Sequence, residues 1–174
     1  MVQFLFYVLL IVAANIHLVF TQDFSSEVKA QAPIILKALN SNSTLKDKIK
    51  SNQITTKMVF LPDIPMVYVD AKKIKQVIIN IVENAIQSVE IGGKIIIRTF
   101  AESNRVKIAF LDNGPGFDEA IRDKLFEPFF TTKDYGTGLG LSICRQIMLE
   151  HNGSINIQNT DEGTLILLEL PLRG

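Results

Sequence analysis

Residues 126–141 read FEPFFTTKDYGTGLGL and are the most informative stretch of the chain. Gly136, Gly138 and Gly140 stand at alternate positions just before an apolar-rich segment with helical spacing. Glycine lets the backbone turn sharply and approach a ligand closely, and the free N–H groups at a helix N-terminus attract phosphate. Lys133 and two threonines add charge and hydroxyls ahead of the glycines. The stretch therefore predicts a phosphate-gripping loop, but it is neither a Walker A loop nor a dinucleotide fingerprint, whose spacings differ.

A second segment, residues 74–89, has apolar residues at the spacing of one helix face, and Asp70 precedes it as a cap. Its opposite face carries polar side chains one turn apart, Asn80, Glu83, Asn84 and Gln87. Amide oxygens are hard ligands that suit Mg²⁺. Taken alone, the stripe indicates either a metal site or an ordinary solvated helix face.

A third segment, residues 105–117, alternates apolar and polar residues as a strand does and then reads Asp112-Asn-Gly114-Pro-Gly116. An ionised carboxylate accepts hydrogen bonds and donates none, so Asp112 can recognise an exocyclic amino group such as that of adenine. The glycines would let the backbone pass close to a flat ring. An ordinary turn is the alternative interpretation of this segment by itself.

Together and in this order, the segments resemble the N, G1, F and G2 boxes of the ATP-binding domain of sensor histidine kinases, in the GHKL superfamily. The sequence of residues 126–141 is most similar to the nitrogen-regulation and sporulation type of kinase. The resemblance covers roughly residues 53–171. The matching residues are Asn80 and Asn84 (N box), Asp112, Gly114 and Gly116 (G1 box), Phe126, Pro128 and Phe129 (F box), and Gly136, Gly138 and Gly140 (G2 box). Gly163-Thr164 and Leu170-Pro171 are similar to the family's closing pattern.

The resemblance implies roles for individual residues. Asn84 would bind Mg²⁺, Asn80 would lie near the phosphates, and Lys133 would supply a lid cation for them, so these three carry the catalytic assignment. Asp112 would bond the adenine amino group, with Thr164 supporting it.

Residues 114–138 would form a mobile ATP lid that Phe126 and Phe129 pack down. The implied nucleotide-binding set is Asn80, Asn84, Asp112, Gly114, Gly116, Phe126, Phe129, Thr132, Lys133, Gly136, Thr137, Gly138, Leu139, Gly140 and Thr164. The chain departs from many family members at Gln87, where they carry a lysine, which leaves Lys133 with more of the phosphate charge. Related ATPases have a glutamate general base where Asn80 stands, and an amide cannot take a proton from water, so fast ATP hydrolysis is not expected.

The order of elements predicts an α/β sandwich, with a mixed sheet, helices on one face and the lid beside them. Short extended segments are expected at residues 54–60 and 67–69, and Gly92-Gly93 is expected to end the first long helix. A helix is expected over residues 139–152. The hairpins are expected at residues 94–111, turning at 102–104, and at residues 154–170, turning at 161–163.

The composition argues against nucleic-acid binding and against a reactive cysteine. Lys+Arg and Asp+Glu both number 18, so the net charge is zero and leaves no electrostatic footprint for nucleic acid. The single cysteine, Cys144, falls in an apolar-rich helix and is expected to fill the core rather than to react. With 174 residues, one core of ordinary size is expected, over residues 53–174, preceded by a helical lead-in at 22–52.

Residues 1–21 contain no charged side chain, and their longest apolar run is residues 4–14. A run of that length suits a buried helix better than a full membrane span. A membrane anchor, a packing helix and a remnant left by truncation are the three alternatives for this segment. The resemblance places the ATP-binding domain in the cytoplasm, tethered to the inner face of the membrane if these residues are an anchor.

The chain has two histidines, and neither lies in a phosphoacceptor motif. His17 has no acid beside it, and His151 lies at a helix end, where a cation suits the helix dipole and a structural role is expected. The resemblance thus implies a catalytic domain that takes γ-phosphate from Mg-ATP to a histidine on a dimeric helical hairpin, with a response regulator downstream. The alternatives are an anti-sigma-type serine kinase, which usually lacks a full F box, and a non-catalytic ATP-sensing module.

Overall fold

The computed structural model of the chain describes residues 32–60, 64–65, 67–133 and 136–172. Its helices are α1 (Ala32–Asn40), α2 (Ser43–Ser51), α3 (Ala71–Ser88) and α4 (Gly140–Glu150), and a 3₁₀ helix covers Glu119–Phe126. Its strands are β1 (Thr55–Phe60), β2 (Lys94–Glu102), β3 (Arg105–Asp112), β4 (Ser154–Thr160) and β5 (Gly163–Pro171). The apolar segment 1–21 lies outside the described residues.

The strands form one sheet in the order β1-β2-β3-β5-β4. β1 runs parallel to β2, and the other neighbours are antiparallel. The prediction of a mixed sheet is therefore confirmed. Asp112 at the end of β3 lies opposite Thr164 near the start of β5, which places both of these predicted site residues side by side at the same end of two neighbouring inner strands.

Helix α3 forms where its apolar spacing predicted it. The Asp70 carboxylate accepts from the N–H groups of Lys72 (2.8 Å) and Lys73 (3.2 Å), which caps the helix start. The residues it buries are Ile74, Val77, Ile78, Ile81, Val82, Ala85 and Ile86. The helix ends at Ser88, four residues before the predicted Gly92-Gly93, because Val89 already has extended backbone angles. Gly92, at φ +84°, turns the chain toward β2 instead.

Both predicted hairpins are present, with small differences at their turns. β2 and β3 join through Ser103 and Asn104, whose positive φ angles of 53° and 61° suit the right-handed twist of a two-residue turn. Glu102 pairs with Arg105 and is still part of the ladder. Gly163 pairs with Thr160 and opens β5, because the chain needs only two residues to turn there.

Two other predicted boundaries are corrected. Residues 67–69 belong to no strand, so β1 is the only one of the two predicted extended segments that joins the sheet. Helix α4 is shorter than predicted at both ends, starting at Gly140 and ending at Glu150. It ends early because Asn152 takes a positive φ of 52° and the Gly153 N–H turns back to the Met148 carbonyl at 2.8 Å.

The core lies between the helices and the face of the sheet that carries Ile95, Ile97, Ile108 and Phe110. Helices α1 and α2 contribute Ile35, Ala38 and Leu45, all fully buried, so the lead-in shares this core. Cys144 is also fully buried, and burial raises the pKa of its thiol to about 12. It fills the core, as predicted. No helix among the described residues is long and apolar enough to cross a membrane.

Candidate functional site

A cavity of about 380 Å³ opens between α3, the start of α4, the end of β3, the first half of β5, and the loop before α4. The structure brings most of the predicted nucleotide-binding residues together around it. Those that line it are Asn80, Asn84, Asp112, Gly116, Thr132, Lys133, Gly136, Thr137, Gly138, Gly140 and Thr164. Gly114, Phe126, Phe129 and Leu139 were also predicted but lie outside the lining.

Asp112 forms the polar floor of the cavity. It is 6% exposed, and its Oδ1 accepts the Gly114 N–H at 2.9 Å. Burial raises the pKa of this carboxyl, while hydrogen bonds from Gly114, Ser88 and Thr164 oppose the rise. A buried carboxylate that still accepts hydrogen bonds is suited to recognise an amino group.

Two glycines hold Asp112 in place without lining the cavity themselves. A Cβ on Gly114 would lie 2.8 Å from the Ser88 carbonyl and 2.9 Å from the Asp112 carboxylate. A Cβ on Gly163, whose φ is +140°, would overlap the Asp112 carbonyl. Both positions therefore require glycine because the backbone and Asp112 are in close contact there.

The polar stripe of α3 forms a wall of the cavity, since Asn80, Glu83, Asn84 and Gln87 all line it. The Asn80 amide donates to the Gly140 carbonyl at 3.4 Å and so connects α3 with the start of α4. Glu83 turns toward α2 and lies 3.4 Å from the Lys48 ammonium. The stripe is therefore part of the site rather than an ordinary solvated face.

Lys133 reaches across from the loop to this wall. Its ammonium donates to Gln87 Oε1 at 2.7 Å and lies 3.5 Å from Asn84 Oδ1. Burial lowers the pKa of Lys133, and the charge of Asp112 opposes that shift. The loop lysine and the Asn84 oxygen thus face each other across the cavity wall.

The first part of the predicted lid is attached to β4. The Asn159 side chain accepts from the Phe117 N–H (3.1 Å) and donates to the Phe117 carbonyl (2.7 Å) and to Glu119 (3.1 Å). Arg122 donates to the Ile157 carbonyl from two nitrogens, at 3.2 and 2.9 Å. Sequence analysis missed Asn159 and Arg122, because their partners lie 42 and 35 residues away along the chain.

In the second part of the lid, Phe129 and Gly138 contact each other through their backbones. The Phe129 N–H donates to the Gly138 carbonyl at 3.0 Å, and a Cβ on Gly138 (φ +67°) would overlap the Phe129 backbone. Phe129 itself has a positive φ of 68° and is 76% exposed, so the expectation that it packs the lid down is wrong. Phe126 is half-buried against the core, and Arg145 lies over its ring, 5.8 Å from the centroid.

Sequence analysis also missed the apolar part of the cavity. These side chains are Phe117, Leu125, Phe130, Leu141, Ile157 and Ile166. They provide a surface on which a flat ring can lie, next to the Asp112 carboxylate. No sequence signal separates them from core residues, because apolar side chains with the same spacing serve both purposes.

Asn84 Oδ1 is a hard oxygen of the kind that Mg²⁺ takes as a ligand. No group of three His, Cys, Asp or Glu side chains that could hold a metal occurs in the part of the chain that the structure describes. Asn84 Oδ1 already faces a cation, the Lys133 ammonium. Mg²⁺ is usually held by one or two protein oxygens together with phosphates and water, and Asn84 can provide one such oxygen.

His151 has a structural place outside the cavity. Its Nε2 accepts the Asp70 N–H at 3.0 Å, and Nδ1 lies 2.7 Å from the Ile147 carbonyl. These two contacts connect the end of α4 to the start of α3, which is the structural role that the sequence predicted for His151. His17 lies outside the described residues.

Comparison with known proteins agrees with this geometry. The family described as "Histidine kinase-, DNA gyrase B-, and HSP90-like ATPase" matches residues 69–174. Sporulation kinase E of Bacillus subtilis (strain 168) is 37% identical over 124 residues, which are 70% of this chain and 17% of that kinase. The chain thus spans less than a fifth of that relative.

Solved structures show the same likeness. The catalytic domain of histidine kinase ThkA superposes with a TM-score of 0.75 at 34% identity, covering 83% of this chain and 93% of that one. Histidine kinase ThkA in complex with response regulator protein TrrA superposes with a TM-score of 0.65 at 34% identity, covering 81% and 40%. The chain therefore belongs to the histidine kinase-, DNA gyrase B- and HSP90-like ATPase family, and the predicted histidine-kinase catalytic domain of the sporulation-kinase type is confirmed.

Proposed function

We propose that this chain binds Mg-ATP in the cavity and transfers the γ-phosphoryl group to a histidine on a dimeric helical hairpin, supplied by another domain or another chain. One observation carries the proposal. The floor of the cavity carries a buried hydrogen-bond acceptor, Asp112. On the α3 wall of the same cavity, Asn84 faces the Lys133 cation. That pairing suits a ligand with an amino-bearing ring and a polyphosphate.

Different residues of the cavity contact the adenine ring, the phosphates and the metal ion. Asp112 accepts from the adenine amino group, with Thr164 beside it, and the apolar side chains take the ring. The phosphates lie against Lys133, the Thr132 and Thr137 hydroxyls and the glycine-rich start of α4, where free N–H groups favour anions. Asn84 would hold Mg²⁺, and the ion would supply positive charge that neutralises the phosphates.

Catalysis in this arrangement consists of positioning and charge stabilisation, as in other phosphoryl transfers. Asn80 cannot accept a proton from water, and its amide already donates to Gly140. Glu83 is the carboxylate on the same wall, but it is directed to Lys48 on α2. We therefore expect slow hydrolysis and transfer only when an acceptor is brought in line with the γ-phosphate.

The partners follow from the same proposal. The acceptor histidine lies on the hairpin, and a response regulator takes the phosphoryl group from it, as the ThkA–TrrA complex suggests by analogy. The ATP site faces the cytoplasm, where ATP is available, and residues 1–21 are a candidate tether to the membrane.

The test is phosphoryl transfer in trans. The chain is incubated with radiolabelled ATP, Mg²⁺ and a dimeric helical hairpin that carries a His-Glu acceptor. We expect acid-labile phosphate on the hairpin and little label on this chain. Asn84→Ala should abolish transfer, whereas Asn156→Ala, at an exposed position on β4, should not.

Three outcomes would contradict the proposal. Acid-stable phosphate on a serine would favour an anti-sigma-type kinase. Strong label on this chain alone, lost when His17 and His151 are both replaced, would place the acceptor within the chain. ATP binding without any transfer would favour the ATP-sensing module.

A further inference from the structure

The Lys133 ammonium occupies a defined position on the α3 wall. It lies 2.7 Å from Gln87 Oε1 and 3.5 Å from Asn84 Oδ1, although Lys133 is 46 residues from Gln87 along the chain. Asn84 is the residue whose oxygen fits Mg²⁺. The Lys133 ammonium thus lies next to the oxygen that a metal cation would use as a ligand.

Gln87 is chemically suited to hold this charge without cancelling it. A lysine at this position would repel Lys133, and a carboxylate would neutralise it and repel phosphates as well. The Gln87 carbonyl accepts a hydrogen bond and carries no net charge. It fixes the direction of the ammonium and leaves its full charge for a polyphosphate.

We infer that Lys133, held by Gln87, is a built-in substitute for the metal cation at Asn84, and that this pair sets how strongly nucleotide binding depends on Mg²⁺. The inference rests on the proposed nucleotide site. Without metal, Lys133 balances part of the phosphate charge. With Mg²⁺ present, Lys133 must leave the Asn84 oxygen, because two cations at one oxygen repel each other.

The two residues therefore have separable roles. Lys133 supplies charge, so its loss weakens metal-free binding and also removes the competitor of Mg²⁺. Gln87 supplies position only, so its loss removes the competition at Asn84 while the lysine can still reach the phosphates. Gln87 is a positioning residue in this scheme.

The experiment measures ADP affinity by calorimetry, first in EDTA and then across a series of Mg²⁺ concentrations. Lys133→Met should weaken ADP binding in EDTA about fivefold, the upper end of what an exposed charge pair contributes, and lower the half-saturating Mg²⁺ concentration. Gln87→Met should lower the half-saturating Mg²⁺ concentration about threefold. The ADP affinity of this variant in EDTA should stay within about twofold of the wild-type value. Lys133→Arg should keep the metal-free affinity, because it keeps the charge.

Matched controls use exposed residues of the same types outside the cavity. Gln76→Met on α3 and Lys124→Met in the 3₁₀ helix should leave both quantities unchanged. Thermal unfolding verifies that each variant is folded, and Gln87→Leu replaces Gln87→Met if that variant is not.

The outcomes separate the inference from the proposed function. If the wild type binds Mg-ADP but the Lys133 and Gln87 variants keep the wild-type metal dependence, the inference is wrong and the nucleotide site stands. If both variants lose affinity equally in EDTA and in Mg²⁺, Lys133 is only a phosphate ligand and the inference is again wrong. If the wild type binds no ADP under any condition, the proposed function fails and the inference fails with it.

Discussion

The attachment of the first part of the lid to β4 can be measured by removing Asn159. Its amide makes two partly buried hydrogen bonds to the Phe117 backbone, at 3.1 and 2.7 Å, and an exposed one to Glu119 at 3.1 Å. A neutral hydrogen bond contributes about 1 kcal/mol and an exposed one little, so Asn159→Ala should cost about 2 kcal/mol locally. That energy corresponds to about a 30-fold larger opening equilibrium of the attached segment.

Hydrogen exchange followed by mass spectrometry is the appropriate assay, because it resolves local opening. We expect exchange in residues 116–126 to become about 30-fold faster, while the central strands β2 and β3 keep their protection. ATP affinity should also fall, since Phe117 lines the cavity. Asn156→Ala, at an exposed position of the same strand, is the matched control and should change neither. Unchanged exchange in residues 116–126, or a uniform increase over the whole sheet, would refute the attachment.

Two further predictions concern Asp112. Asp112→Ala should weaken ATP binding by about 1–3 kcal/mol, the cost of a buried polar partner left unpaired, and calorimetry showing equal wild-type affinity for ATP and GTP would contradict the adenine assignment. Burial raises the pKa of Asp112 above its ordinary 3.8, so ATP affinity should begin to fall, as the pH is lowered, before an ordinary aspartate would titrate. The Asp112→Asn variant should show only the phosphate titration in the same measurement. The same shift favours the protonated Asp112 carboxyl in the folded chain. The contribution of Asp112 to the free energy of unfolding is therefore fully present below about pH 3.8 and is lost as the pH rises through the raised pKa.

The sequence allowed the elements and the polar part of the site to be predicted, because both depend on local patterns. The helical period of α3 brings Asn80 and Asn84 onto one face, and the strand before Asp112 ends where the alternation ends. Glycine spacing marked the start of α4. These signals act over a few residues, so they can be identified without knowledge of the tertiary structure.

The parts that could not be predicted depend on contacts between distant residues. Asn159 resembled an ordinary polar residue near a turn, and its role appears only when β4 lies beside Phe117. The apolar cavity wall could not be distinguished from the core. Phe129 was placed against the body of the domain by resemblance, yet its left-handed backbone directs it outward.

The contacts between α3 and α4 fix two walls of the cavity relative to each other. Asn80 bonds Gly140 at one end of the pair, and the Asp70 N–H bonds His151 at the other, beside a Lys73–Glu150 ion pair of 2.7 Å. Ten residues of helix separate the two fixed points on the α3 side, a distance of about 15 Å. Two helices joined at points that far apart can neither slide nor roll against each other without breaking a bond. The α3 wall of the cavity and the glycine-rich start of α4 therefore form one unit, and a ligand that contacts both meets two walls at a fixed spacing.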